Sequence, residues 1–599
     1  LGGKRRREKE ESHETMKNRS HAPLLSTQFM RRFAFLFLFL LSACATTRVE
    51  DLSLDEKIGQ MFIVAAHGRF MNEDSATWQE LRRHVRDNHV GGVIWYASNV
   101  HDTAWITRKL QELAPIPLFV SADLEAGIGM RFADTTYWPP AMAVAATGDV
   151  ALAETAGRIT AMEARAIGIN YIFAPVADVN VNADNPVINT RSFGEDPERV
   201  GHFVAAFVRG VQSQPMLATA KHFPGHGDTR VDTHRSLPVL DVDRARLDRV
   251  ELVPFRAAID ANVASIMIGH LGIPALDNTP APVRPPDEAA AENVYTQDAA
   301  ETTRAGVVPA SLSPRVITDL LRRDLGFKGL VIGDAFDMGG LVAHYAAGEA
   351  AVRAIEAGMD IVLKSADTDT AIAAVKDAVR SGRISESRID ESVRRILLAK
   401  RNLDKQPPSP DGIFRNVDTA EHRRIAADIA SRAITLVREE QGVLPLSKNA
   451  RVVIVTISDL VEVRNPAALV QEQIARRATQ KPVAFQLDGD SRLEDTDAIL
   501  AAANNADVVL LALAVRAVSG AGHLRLPDAA HELMKRLPPN VKTVAVSFGS
   551  PYVLRDLPTL QTYLCAYGVQ PVMQTAAVRA LYGEAAMTGR LPVTIPLPH

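Results

Sequence analysis

The chain has 599 residues, 47% of them hydrophobic and 23% charged, with a formal net charge of -4. That length exceeds one ordinary core, so two or more domains are expected. The near-neutral balance gives no reason to expect nucleic acid as a partner, and no aromatic–basic interleaving argues for it.

The N-terminal stretch reads as an address rather than as part of a fold. A charged run at 4–9 is followed by Arg31-Arg32, the apolar run FAFLFLFLL at 33–41, and Leu41-Ser42-Ala43-Cys44. A basic segment, a short apolar segment and small residues compose a secretory signal. Nine apolar residues are too few to span a bilayer, which takes about 20. The L-S-A-C ending resembles the lipobox of bacterial lipoproteins, which implies an exported protein anchored to a membrane through a diacylated Cys44. The alternative is a plain secretory signal with an incidental cysteine. The second cysteine, Cys565, lies in an apolar run and is expected as a packed core thiol; with Cys44 acylated, no disulfide forms within one chain.

From Lys57 to Lys400, short apolar runs alternate with amphipathic stretches. The runs expected as strands are 61–65, 93–96, 118–122, 169–173, 217–220, 265–268, 330–333 and 359–363. Their near-continuous apolar character suits strands covered on both faces. Helices are expected between them, for example at 151–167, 197–211 and 313–325. Asp196-Pro197 and Ser313-Pro314 each place a capping side chain before a proline at the first helical position. Eight alternations over about 350 residues predict an α/β fold with a (β/α)8 TIM-type barrel; a doubly wound open sheet is the competing arrangement. The expected domains are 1–49, the extension and signal; 50–404, the barrel, with a Pro-rich insertion at 279–303; 405–425, a linker around Gln406-Pro407-Pro408; and 426–599, a smaller α/β sandwich. In the last, a helix is expected at 422–437 and strands at 452–457, 508–512, 543–548 and 562–567. Nothing in the sequence fixes an oligomeric state.

In a parallel barrel the residues just past the strand ends face the active site. Here they are Asp123, Glu125 and Arg131 after strand three, Asp178 and Arg191 after strand four, Lys221-His222 at strand five, His270 at strand six and Asp334 at strand seven. Such a set suits a polar substrate, although Glu125 and Asp178 could equally be buried ion-pair partners. The loop KHFPGHGDTRVDTH at 221–234 concentrates His222, His226, Asp228, Asp232 and His234. As a metal site its spacing is not that of H-E-x-x-H, and no cysteine pair assists. As a phosphate cradle it lacks the order G-x-x-x-x-G-K-[ST]. As an acid–base loop, Asp232 and His234 alternate by two; an aspartate on one ring nitrogen fixes the tautomer and leaves the other to exchange protons.

KHFPGHGDT followed by D-x-H resembles the signature of glycoside hydrolase family 3, in its β-N-acetylglucosaminidase branch. RSFGEDPERV at 191–200, PASLSP at 309–314, GFKGLVIGDAFDMGG at 326–340, ITLVREEQGVLPL at 434–446 and GRLPVTIP at 589–596 resemble family blocks in the same order, from about Leu52 to the C-terminus. The resemblance implies a retaining, exo-acting glycosidase that needs no cofactor or metal. It carries Asp334 over as nucleophile, His234 as acid/base with Asp232 as its partner, and Asp123, Arg131, Arg191, Lys221 and His222 as holders of sugar hydroxyls. The implied partners are small N-acetylglucosaminides such as peptidoglycan or chitin fragments. Two departures bear on preference: Ala126 stands where glycine is common, and Gly333 where serine or threonine is frequent. The open alternatives are a phosphorylase or transglycosylase, a β-glucosidase or β-xylosidase, a metal-dependent hydrolase, and a non-catalytic cell-wall-binding lipoprotein.

Overall fold

The computed structural model describes residues 47–597 apart from 69, 286–287, 290–291, 293–305, 402, 404–406, 441, 460–464 and 519. Cys44, the signal segment and most of the 279–303 insertion lie outside the described residues. From Arg48 onward the chain forms one compact unit.

Eight parallel strands form the first sheet: β1 Phe62–Ala66, β2 Gly92–Trp95, β3 Phe119–Ala122, β4 Tyr171–Ile172, β5 Leu217–Phe223, β6 Ser265–Ile268, β7 Leu330–Gly333 and β8 Val362–Leu363. They pair in sequence order, and β1 pairs with β8. A parallel bridge between Ile332 and Ile361 joins β7 to the approach of β8, so the sheet curls into a barrel rather than the open alternative. Every residue of β2, β3, β5, β6 and β7 is buried, as expected of strands covered by an outer layer of helices. Helix Val150–Ala166 packs on helix Pro197–Gln212, and a glycine on each permits close approach. A Cβ at Gly157 would lie 2.5 Å from the Phe207 carbonyl oxygen, and one at Gly210 would lie 2.1 Å from that of Glu154. Asp196 caps the second of these helices by accepting from the Arg199 N–H, with Pro197 in the first turn.

Two strands are shorter than the expected 169–173 and 359–363, because buried side chains take over part of the ladder. Asn170 Oδ1 accepts from the Val120 N–H and its Nδ2 donates to the Leu118 carbonyl, at 2.8 and 3.1 Å. Asp360 Oδ2 likewise accepts from the Val331 N–H at 3.0 Å. These contacts satisfy β3 and β7 without a backbone partner at those positions.

The chain leaves the barrel through helices Pro410–Asn416 and Ala420–Ala433 and enters a second sheet. Its strands are β9 Thr435–Glu439, β10 Val452–Ile457, β11 Val483–Leu487, β12 Val508–Leu513, β13 Lys542–Ser547 and β14 Thr562–Cys565. Their order is β11-β10-β12-β13-β14-β9, parallel except for the β14–β9 pair. The expected helix at 422–437 ends at Ala433. The run Ile434-Thr435-Leu436-Val437 is β-branched and apolar, and it pairs as an edge strand instead. Cys565 is buried in this core.

Candidate functional site

The C-terminal ends of the barrel strands open into a cavity of about 500 Å³. Asp123, Arg131, Arg191, Lys221, His222, His234 and Asp334 all line it, so seven residues singled out in the sequence share one chamber; Asp232 is buried directly behind His234.

Its floor is a closed charge network. Lys221 Nζ donates to Asp123 Oδ1 and to Glu125 Oε1, both at 2.7 Å. Arg131 Nη2 donates to Asp123 Oδ2 at 2.8 Å. Arg191 grips Glu125 with two bonds, Nη2 to Oε1 at 2.8 Å and Nε to Oε2 at 2.9 Å, the fork geometry that makes arginine–carboxylate pairs strong. Burial opposes the charge on Asp123, but Lys221 and Arg131 outweigh it and lower the carboxyl to about 2. Burial likewise opposes ionisation of Glu125, and Arg191 and Lys221 hold it well below the usual range. Asp123 thus stays a charged acceptor with its orientation fixed by two cations.

Lys221 and His222 are neighbours on β5, where strict alternation would send them to opposite faces. The β5–β6 register shifts between Ala220 and Phe223, and both side chains reach the cavity. Asp178 orients this segment. Its Oδ2 accepts from His222 Nδ1 at 2.8 Å, and its Oδ1 accepts from the His226 N–H at 2.7 Å. Glu125 and Asp178 are therefore both partners of cavity-lining side chains, the ion-paired reading that the sequence left open. His226 has its two ring nitrogens on Thr229 Oγ1 and Thr233 Oγ1, at 2.7 and 3.2 Å, and burial lowers it to about 4. Among the described residues no group of three His, Cys, Asp or Glu side chains is placed to hold a metal ion.

Asp334 follows β7. Its N–H donates to the Ile268 carbonyl, and its Oδ1 accepts from the Ala335 N–H at 2.8 Å. His270, buried beneath it, accepts from Ser311 Oγ at Nδ1 and donates from Nε2 to the Ala335 carbonyl, fixing the turn that carries the carboxylate. Burial pushes Asp334 up, but His222, His270, His234 and Lys221 together hold it below the ordinary carboxylate range. At Gly333, an added Cβ would meet Phe336 at 2.4 Å, which explains glycine at that departure from the family pattern.

The dyad is assembled on the loop after β5. Asp232 Oδ1 accepts from His234 Nδ1 at 2.7 Å and from the His234 N–H at 2.9 Å. Burial opposes the Asp232 charge and the hydrogen bond from His234 reverses it, leaving the carboxyl below its ordinary value. The other oxygen, Oδ2, accepts from the Gly520 N–H at 2.8 Å. Gly520 belongs to the second domain, in the turn after β12, and Arg235 ties the same turn by donating to the Ala521 carbonyl at 3.2 Å. Arg516, Ala517 and Val518 from that turn, and 567–570 after β14, complete the cavity wall. These second-domain residues had no motif to flag them.

A parallel barrel whose strand ends hold a fixed charge network beside a carboxylate and an Asp–His pair, roofed by an α/β sandwich, is the architecture of a two-domain glycosidase. Residues 53–399 match the glycosyl hydrolase family 3 N-terminal domain and residues 434–598 match the family's C-terminal domain; the chain belongs to glycosyl hydrolase family 3. It is similar to a beta-N-acetylglucosaminidase/beta-glucosidase of Cellulomonas fimi, at 31% identity over 92% of this chain and 95% of the relative. It is also similar to a beta-hexosaminidase A of Pseudoalteromonas piscicida, at 34% identity over 63% of this chain and 64% of the relative. Among solved structures, a family 3 beta-N-acetylglucosaminidase from Paenibacillus sp. str. FPU-7 superposes with a TM-score of 0.78 at 31% identity, over 92% of this chain and 100% of that one.

Proposed function

We propose that the protein is an exo-acting, retaining β-N-acetylglucosaminidase that removes terminal β-linked N-acetylglucosamine from peptidoglycan- or chitin-type fragments. The observation that carries this reading is the presence of Asp334 and the Asp232-bonded His234 in one cavity, above a floor of oriented, ionised hydroxyl-binding groups. The relatives named for β-N-acetylglucosaminides support the substrate class.

The charged floor (Asp123, Arg131, Arg191, Lys221 and His222) binds and orients the terminal sugar. The Asp334 carboxylate, ionised near neutral pH, attacks the anomeric carbon, and the bond to the leaving oxygen breaks. His234, held at Nδ1 by the Asp232 carboxylate, acts in its imidazolium form and gives the proton from Nε2 to that oxygen. The glycosyl ester then hydrolyses: neutral His234 takes a proton from water, the water oxygen attacks the anomeric carbon, and Asp334 departs as carboxylate. Two displacements restore the original configuration. The chain is exported and held at a membrane through acylated Cys44; Cys44→Ser should shift it from the membrane fraction to the soluble one.

The test is release of nitrophenol from the β-N-acetylglucosaminide, with the first-formed sugar anomer read by NMR. β-Configured N-acetylglucosamine formed without phosphate is expected; strict dependence on phosphate, or an α-configured first product, overturns the reading. A second reading, action on β-glucosides, is favoured by the double name of the Cellulomonas fimi relative. The same assay with the nitrophenyl glucoside decides it.

A further inference from the structure

Four cations line the cavity: Arg131, Arg191, Lys221 and Arg516. The first three come from the barrel and are paired with Asp123 and Glu125. Arg516 comes from the second domain, just past β12, is half-buried, and makes no side-chain ion pair or hydrogen bond among the described residues. Its charge is felt by the Tyr137 hydroxyl and by Asp459, the latter just past the end of β10. Among the described residues no side chain bonds to either Asp459 oxygen, and burial, against the pull of its own and the Arg516 backbone amides and of the Arg516 charge, pushes this carboxyl up to about 7. No ion pair joins the two side chains, so Asp459 does not lock Arg516 as Glu125 locks Arg191 at 2.8 Å.

The position of Arg516 indicates what it meets. It opens the turn whose Gly520 N–H holds Asp232, the partner of the proton donor His234. A leaving group must lie beside the acid that protonates it. The barrel floor takes the terminal sugar, and the second-domain wall is left for what that sugar is attached to. A guanidinium presents a planar fork that matches a carboxylate through two parallel hydrogen bonds, and a partly desolvated cation not paired by the described side chains gains most from an anionic ligand.

We infer that Arg516 is a specificity-determining residue for an anionic leaving group, receiving a carboxylate on the sugar to which N-acetylglucosamine is attached. The inference rests on the glucosaminidase reading. It is tested with a disaccharide in which N-acetylglucosamine is β-linked to a sugar bearing a carboxylate, against its methyl ester, which has the same leaving oxygen. The full-length native protein should favour the acid in kcat/KM by about 10- to 100-fold, the range of one charge-assisted hydrogen bond. Added salt should shrink that ratio. Arg516→Gln should bring it close to one, Arg516→Lys should keep part of it, and Arg516→Glu should favour the ester. A native ratio near one, or a ratio unmoved in Arg516→Gln, overturns the assignment while turnover of the nitrophenyl N-acetylglucosaminide leaves the glucosaminidase reading standing. No turnover of any of the three substrates removes both. A phosphate-dependent release of glycosyl phosphate that Arg516→Gln abolishes would make the free anion the occupant and also overturn the leaving-group assignment.

Discussion

The barrel floor and the loop that carries Asp232 and His234 meet at the same cavity but are held in different ways. On the floor, Asp123, Glu125, Arg191 and Lys221 stand at strand ends or on the loops that follow them and lock one another by ion pairs, so each side chain is fixed by the barrel alone. The dyad sits on the loop that follows β5. Asp232 is oriented by His234 two residues away and by a backbone amide 288 positions further along the chain. A sugar-binding surface needs preorganisation, which a buried ion network supplies; a proton-transferring pair needs a defined tautomer, which one more hydrogen bond from the neighbouring domain secures.

The largest effect should come from the reacting carboxylate between these regions. Asp334→Ala is expected to lower kcat by about 10^4- to 10^6-fold, as for a covalent nucleophile, with sugar binding retained in calorimetry; near-native turnover would rule out the assigned mechanism. His234→Ala should cost about 10^2- to 10^4-fold in kcat on a chitobiose-type substrate, the usual worth of a general acid. The loss should be much smaller for a nitrophenyl leaving group, which needs little protonation, and equal losses on both substrates would argue against the acid role.

Breaking the floor should act on stability as much as on turnover. Glu125→Gln removes a buried carboxylate that pairs Arg191 and Lys221 and should destabilise folding by about 3–5 kcal/mol, read from urea denaturation. Because the folded-state pKa of Glu125 is depressed, its stabilisation is fully present above the unfolded value near 4 and is lost as pH falls below it. The gap between native and Glu125→Gln midpoints should therefore narrow from pH 6 toward pH 3, and a constant gap would contradict the ion-pair role. The smallest effect belongs to the tether between domains. Gly520 has φ +82, so Gly520→Ala strains the turn by about 1–2 kcal/mol and disturbs the amide on Asp232. A three- to tenfold drop in kcat with a displaced limb of the pH–rate profile is expected; a drop without that displacement would mean a structural role only.

Much of the barrel was legible because its strands are continuous apolar runs separated by capped amphipathic helices, and cavity-lining residues lie just past those runs. Asp123, Lys221, His222 and Asp334 were all found in that way. The ends of β4 and β8 were not, since Asn170 and Asp360 replace backbone partners with side chains, and periodicity does not register such a substitution. β9 was missed because the helical pattern before it runs on without a breaker at Ala433. β11, Val483–Leu487, is half exposed and lacks the buried-strand signature.

The sequence by itself determined the two-domain α/β class, the placing of Asp334 just past a strand end and the pairing of Asp232 with His234, because these depend on local periodicity, spacing and motif. Only the tertiary structure decided that Glu125 and Asp178 orient Lys221, Arg191 and His222, that His226 has both ring nitrogens engaged by threonines, and that Gly520 and Arg516 of the second domain complete the cavity. The Glu125 and Asp178 contacts depend on closure of the barrel, which joins residues 66 and 44 positions apart, and the Gly520 contact on the packing of the second domain, which joins residues 288 apart; such separations leave no local pattern in the chain.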